Sequence, residues 1–283
     1  MISACLFALA LAAAPAAVDA VVPSADGVPI HYHAEGQGQP ALVFVHGWSC
    51  DRHYWDAQLP HFAAHHRVVS LDLAGHGESG RGRKAWTIPA FAADVRAVAD
   101  ALHLDHMVLV GHSMGGPVIL EAALGMPGRV AALVPVDIFS DVDRKLTPKQ
   151  RDDFLGALRS DFPKIAREFV TEGLFLPTSD PALVARVATA MAAAPADIAI
   201  AAMAGIWDYD STAALRRTRT PIRCINSDRR PSVVEAGRRY APQFDIVLMK
   251  GLGHFLMLED PDGFNRLLAR TVEELLAAPP APK

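Results

Sequence analysis

The 283-residue chain is 51% hydrophobic, enough to build one large domain around a sizeable core, which excludes an intrinsically disordered protein. Its 27 basic and 31 acidic side chains leave a formal charge of -4 with no block of like sign, so neither a nucleic acid nor an anionic membrane surface is the expected partner. A small-molecule substrate fits that balance better.

Residues 1–20 are apolar and alanine-rich, with small residues at Val18 and Ala20 or at Ala14 and Ala16, where a signal peptidase reads. This segment is expected to be a signal peptide, making the protein exported, periplasmic or extracellular. It is too short, and too soon followed by Pro and Asp, for stable membrane insertion. Without it, only Cys50 and Cys224 remain, and two free, buried thiols are expected. No CxxC or HExxH pattern occurs, so no metal is expected.

Beyond the leader, short apolar runs alternate with helical patterns, the rhythm of a mostly parallel sheet with helices on both faces. Residues 28–33 read as a strand, followed by a Gly-rich turn over 35–38. Further strands are expected over 41–45, 68–71, 107–110, 132–136, 222–226 and 246–249, rich in Val, Leu and Ile because both faces are buried. Thr87 can cap a helix running to Leu102, with Phe91, Val95 and Val98 on its apolar stripe. Another helix should start at Ser113, and a last one should cover 261–276. Residues 141–209 break the rhythm: 148–159, 163–171, 181–194 and 196–206 look helical, each opened by Pro or Asp. The expected organisation is therefore a core formed by 21–140 and 210–278 and a helical cap, or lid, formed by 141–209.

The strongest local signal is a buried run ending in Gly111-His112-Ser113-Met114-Gly115 and passing straight into a helix. In such a G-x-S-x-G turn the serine sits on a strained bend that lifts its Oγ above the sheet, and larger neighbours than glycine would clash. The helix start presents free N–H groups, making the Met114 amide one expected oxyanion donor.

Here the chain resembles the α/β-hydrolase superfamily, in its serine-esterase-like branch. The likeness extends over nearly the whole chain after the leader and is carried by Phe44-Val45-His46-Gly47-Trp48, by Leu71-Asp72-Leu73-Ala74-Gly75-His76-Gly77-Glu78-Ser79, by the serine turn and by Gly251-Leu252-Gly253-His254-Phe255, in family order. The resemblance implies the α/β-hydrolase fold, a catalytic triad and an oxyanion hole. It places the base at His254, the second oxyanion donor at the Trp48 amide, and supporting roles at His46, Gly47, Gly111, His112 and Gly115. His76 is read as scaffold, and His31, His33, His53, His61, His103 and His106 as surface or packing residues.

Two carboxylates compete for the acid of the triad. Asp228 follows the 222–226 strand, the usual station between serine and histidine, and is favoured. An ungapped alignment from Pro221 would put Arg230 at the acid's place, so Asp228 requires a shortened turn. Asp137 ends the preceding strand, a station some relatives use instead; either could orient the imidazole.

The expected function is that of a carboxylesterase-like serine hydrolase, cleaving an ester of a small, moderately apolar substrate through an acyl-enzyme on Ser113 and needing no cofactor. The same residues would also serve a carbon–carbon bond hydrolase, a lactonase, an amidase or a perhydrolase. A rival of another class is a non-catalytic ligand-binding member of the fold.

Overall fold

The computed structural model of the protein describes residues 17–277. Its centre is an eight-stranded sheet built from β1 (Val18–Pro23), β2 (Pro29–Glu35), β3 (Ala41–Val45), β4 (Val68–Leu71), β5 (Met107–His112), β6 (Val130–Val136), β7 (Ile222–Ser227) and β8 (Phe244–Met249). The strand order is β1-β2-β4-β3-β5-β6-β7-β8. β1 and β2 pair antiparallel, as do β2 and β4, and every other neighbour is parallel. This is the α/β-hydrolase fold that the sequence implies.

Burial explains which strands were easy to read. All residues of β3, β4 and β5 are buried, because helices cover both faces of the sheet centre. One such helix is α2 (Ile88–Ala101), capped by the Thr87 hydroxyl on the Ala90 amide, as expected. α3 (Gly115–Leu124) follows the serine turn directly, and α11 (Pro261–Ala277) closes the described chain. Short helices over α1 (Leu59–Ala63), α9 (Val234–Arg238) and α10 (Leu256–Glu259) were not anticipated; each is under two turns and carries too few residues to display a period.

Of the supposed leader, residues 1–16 lie outside the described residues, but 18–20 belong to β1, where Ala20 sits opposite Tyr32. A cut after Ala20 would therefore fall inside a paired strand, whereas one after Ala16 leaves the strand whole. Between β6 and β7 the chain is largely helical as far as Arg217. After α4 (Pro148–Ser160), α5 (Phe162–Gly173), α6 (Pro181–Ala192) and α7 (Ala196–Asp208) comes α8 (Ser211–Arg217), started by Asp210, whose carboxylate accepts the Thr212 and Ala213 amides. The Tyr209 hydroxyl donates to Glu121 at 2.8 Å, tying the end of the insertion to α3.

Cys50 and Cys224 are both buried free thiols. Among the described residues no single helix is long and apolar enough to cross a membrane.

Candidate active site

β5 lies between β3 and β6 and delivers Ser113 at its end with φ +52°. A left-handed backbone at a non-glycine residue costs about 1–3 kcal/mol and persists only where surrounding structure enforces it. Here the Ser113 amide donates to the Val136 carbonyl at 2.9 Å, and the Ser113 carbonyl accepts the Gly116 amide at 2.9 Å. The glycines make room for that bend. A Cβ at Gly115 would stand 2.6 Å from the Val45 carbonyl oxygen, and one at Gly111 would run into the Gly115 carbonyl.

The His46-Gly47-Trp48 turn leaves β3 beside this elbow, since Val45 pairs with Gly111 across the sheet. His46 is wholly buried and both of its nitrogens are used: Nδ1 donates to the Gly47 carbonyl at 2.8 Å and Nε2 accepts the Leu73 amide at 3.0 Å. Burial lowers its pKa, so it stands as a neutral strut. The Trp48 indole donates to the Ala199 carbonyl at 2.7 Å and its ring meets Phe162 and Phe169 edge-on, so this residue ties the turn to α5 and α7. Among the described residues neither the Trp48 amide nor the Met114 amide has a protein acceptor, leaving two donors free beside the serine.

Gly47 sets how closely that turn approaches. A Cβ there would lie 3.3 Å from Ser113 Cβ and 2.9 Å from His112 Nδ1. Gly47→Ala is therefore expected to push the turn away from the serine and to lower kcat by 10²–10³-fold, about the loss seen when one oxyanion donor is removed. Steady-state kinetics beside a melting curve would check this; a folded variant with unchanged kcat would contradict it.

His254 sits in the turn after β8, and its backbone is gripped from several sides. Its amide donates to the Leu174 carbonyl at 2.7 Å, and its carbonyl accepts His112 Nε2 at 3.0 Å. The flanking amides of Gly253 and Phe255 both donate to the Glu259 carboxylate, which also accepts the Ser179 hydroxyl. Burial, reinforced by the neighbouring His254, pushes the His112 pKa down to about 3, so His112 is a neutral donor.

The carboxylate that meets the imidazole is Asp137, and not Asp228. Asp137 Oδ2 lies 2.6 Å from His254 Nδ1, while Oδ1 accepts both the amide and the hydroxyl of Ser227 at 2.8 Å. Asp137 has φ +48°, a left-handed bend at the end of β6 from which its carboxylate reaches the end of β7. Asp228 is exposed and accepts the Gly251 amide at 2.9 Å, which makes it a brace for the β8 turn. Burial would raise the Asp137 carboxyl, but the bonds from His254 and Ser227 hold it well below the ordinary carboxylate range.

Ser227, Glu259 and Arg229 escaped the sequence reading. Arg229 donates to the Gly173 carbonyl at 2.6 Å and lies 3.6 Å from Asp137. Nothing in their local sequence distinguishes them. Ser113, Met114, Trp48, Asp137 and His254 all line one cavity of about 740 Å³. The insertion contributes Phe154, Phe169, Met191, Met203, Ile206 and Trp207 to its wall, whereas Leu155, Leu158, Phe162 and Phe175 are packed into the core. His254 Nε2 has no protein partner among the described residues, so the ring can exchange a proton with a group in the cavity.

The sequence profile described as "Alpha/beta hydrolase family" matches residues 42–267. The chain belongs to that family. A non-heme chloroperoxidase of Streptomyces lividans is 37% identical over 148 residues, covering 48% of this chain and 53% of the relative. A Putative carbamate hydrolase RutD of Azorhizobium caulinodans is 33% identical over 114 residues, covering 40% of this chain and 43% of the relative. The chain thus spans about half, or less, of the length of these curated relatives. Among solved α/β hydrolases, a hydrolase from Pseudomonas aeruginosa PA01 superposes with TM-score 0.76 at 25% identity, over 92% of this chain and 98% of that one. A thermophilic esterase from Thermogutta terrifontis superposes with TM-score 0.79 at 24% identity, over 92% of this chain and all of the other, a likeness of fold.

Proposed function

We propose that this hydrolase cleaves a carboxylic ester through an acyl-enzyme on Ser113, with His254 as base and Asp137 as the acid of the triad. The observation that carries the reading is the 2.6 Å contact between His254 Nδ1 and Asp137, in the cavity that also holds Ser113 on its strained bend. With Nδ1–H donated to a carboxylate, the neutral imidazole presents the lone pair of Nε2.

In the first half-reaction Nε2 takes the proton of Ser113 Oγ as that oxygen attacks the carbonyl carbon. The carbonyl oxygen becomes an oxyanion facing the Trp48 and Met114 amides, each worth about 3 kcal/mol in the transition state. Collapse breaks the bond to the alcohol, which leaves with the proton held on His254. Water then repeats the sequence, losing its proton to Nε2, and the carboxylic acid departs as Ser113 regains its hydrogen. Asp137 stays ionised throughout and stabilises the imidazolium that forms twice per turnover.

The helical insertion serves as a lid in this reading, its apolar wall favouring small, moderately apolar substrates, and the N-terminal segment within residues 1–20 directs export before removal. Relatives named as chloroperoxidases support a second reading of the deacylation step, in which hydrogen peroxide replaces water as acyl acceptor.

A fluorophosphonate is expected to label Ser113 stoichiometrically. Ser113→Ala should remove turnover of short 4-nitrophenyl esters, a loss of about 10⁶-fold, while the melting curve stays cooperative. A folded wild-type protein that takes no label and turns over no ester would overturn the proposal.

A further inference from the structure

The cavity has a second chemical character beyond the serine, histidine and aspartate. Its wall includes Arg144 and Lys145, from the connection between β6 and α4, and Arg229 and Arg230, from the turn after β7; Arg151 of α4 joins them. Two of these charges are already engaged, since Arg151 pairs with Asp208 and Arg229 is held by the Gly173 carbonyl beside Asp137.

The carboxylates facing the same space are engaged as well. Asp137 serves His254 and Ser227, Asp208 takes Arg151, Asp141 accepts the Asp143 amide at 3.1 Å, and Asp210 caps α8. Among the described residues Arg144, Lys145 and Arg230 have no ion-pair partner within 4.0 Å. Arg230 is also close enough to Arg229 and Arg144 to feel both as like charges, and to Asp137 to feel an opposite one; partial desolvation, added to by the two guanidiniums and opposed by Asp137, lowers its pKa.

Arg230 and Arg144 repel one another as like charges, and an anion placed between them removes that cost. Guanidinium groups suit a carboxylate in particular, because their paired N–H donors match its two oxygens. The same cavity keeps its apolar wall from Phe154, Met203 and Trp207.

We infer that the substrate carries a carboxylate remote from its scissile carbonyl, bound at the cavity rim by Arg230 and Arg144, with Lys145 adding to the field. The inference rests on the acyl-transfer reading of this site and names the substrate class within it.

The test compares two pairs of esters matched in size: 4-nitrophenyl hemiglutarate against 4-nitrophenyl valerate for a charge on the acyl side, and 3-acetoxybenzoate against phenyl acetate for one on the alcohol side. In at least one pair the charged member should have the higher kcat/KM, by about tenfold at low salt. That ratio should fall toward unity in the Arg144→Gln, Arg230→Gln double variant, and should shrink in about 0.5 M sodium chloride, because the rim is solvated. No preference for the charged member in either pair, or a preference that survives the double substitution, would overturn the inference. If no ester is turned over, the acyl-transfer reading fails by itself. Calorimetric titration of the wild-type protein with glutarate then decides the anion site: heat that disappears in the double variant supports it, and no binding refutes it.

Discussion

Asp137→Asn is expected to lower kcat/KM by about 10⁴-fold, while Asp228→Asn should change it by less than about fivefold. The asymmetry follows from which proton each position controls. An asparagine at 137 can still accept the Ser227 amide through its carbonyl oxygen, so the turn is preserved. Its NH₂ group would then face His254 Nδ1 and favour the tautomer with the proton on Nε2, where Ser113 needs a base. The imidazolium of the transition state would also lose its anion. At Asp228 the relevant bond is from the Gly251 amide, and an asparagine carbonyl accepts it equally well. Kinetics on one 4-nitrophenyl ester for both variants, with melting curves to confirm folding, decides between the two carboxylates. A dead Asp228→Asn beside an active Asp137→Asn would reverse the assignment.

The second large effect is on stability in acid. His46, His76 and His112 are buried and neutral, with pKa values lowered by burial; those of His76 and His112 are pushed to about 3. In the unfolded chain each histidine takes a proton near its ordinary value of about 6.5. Below that pH the unfolded state binds more protons than the folded one, so stability falls as pH falls, and it is fully present only above the unfolded value. Three such groups give a slope of up to about 4 kcal/mol per pH unit, and for His76 and His112 the window runs from about pH 6.5 to about pH 3. Against a domain stability of about 5–15 kcal/mol, unfolding is expected between about pH 4 and 5. Asp94, whose pKa burial raises, acts in the opposite sense. Asp137, whose pKa is lowered, adds to the loss below about pH 4. Denaturant titrations from pH 8 to about pH 4 would measure the slope, and His76→Phe should reduce it by about one proton. Stability that stays level between about pH 6.5 and 5 would contradict the account.

Much of the candidate site was legible because its parts are local. The bend at Ser113 needs glycine on either side, where Gly115 abuts the Val45 carbonyl, so the demand is written into adjacent positions. The Gly47 turn and the His254 turn carry similar short-range marks. The fold was legible for a related reason: strands buried on both faces leave uninterrupted apolar runs, as β3, β4 and β5 do. β1 was missed because it is an edge strand, mostly exposed and joined to the sheet only through β2, and its residues follow an alanine-rich apolar run in the sequence.

The sequence by itself determined the turn that carries Ser113, the turn that carries His254 and which segments form the central strands, since each depends on residue types that must be neighbours in the chain. Only the tertiary structure decided which aspartate faces His254, because that contact joins positions 117 residues apart and depends on the backbone bend at Asp137 and the pairing of β6 with β7. The clamp of Glu259 around His254 and the gathering of Arg144 and Arg230 at the cavity rim were decided there as well. A side chain's direction at a strand end is fixed by what surrounds it in space, and those surroundings come from segments that the local sequence does not contain.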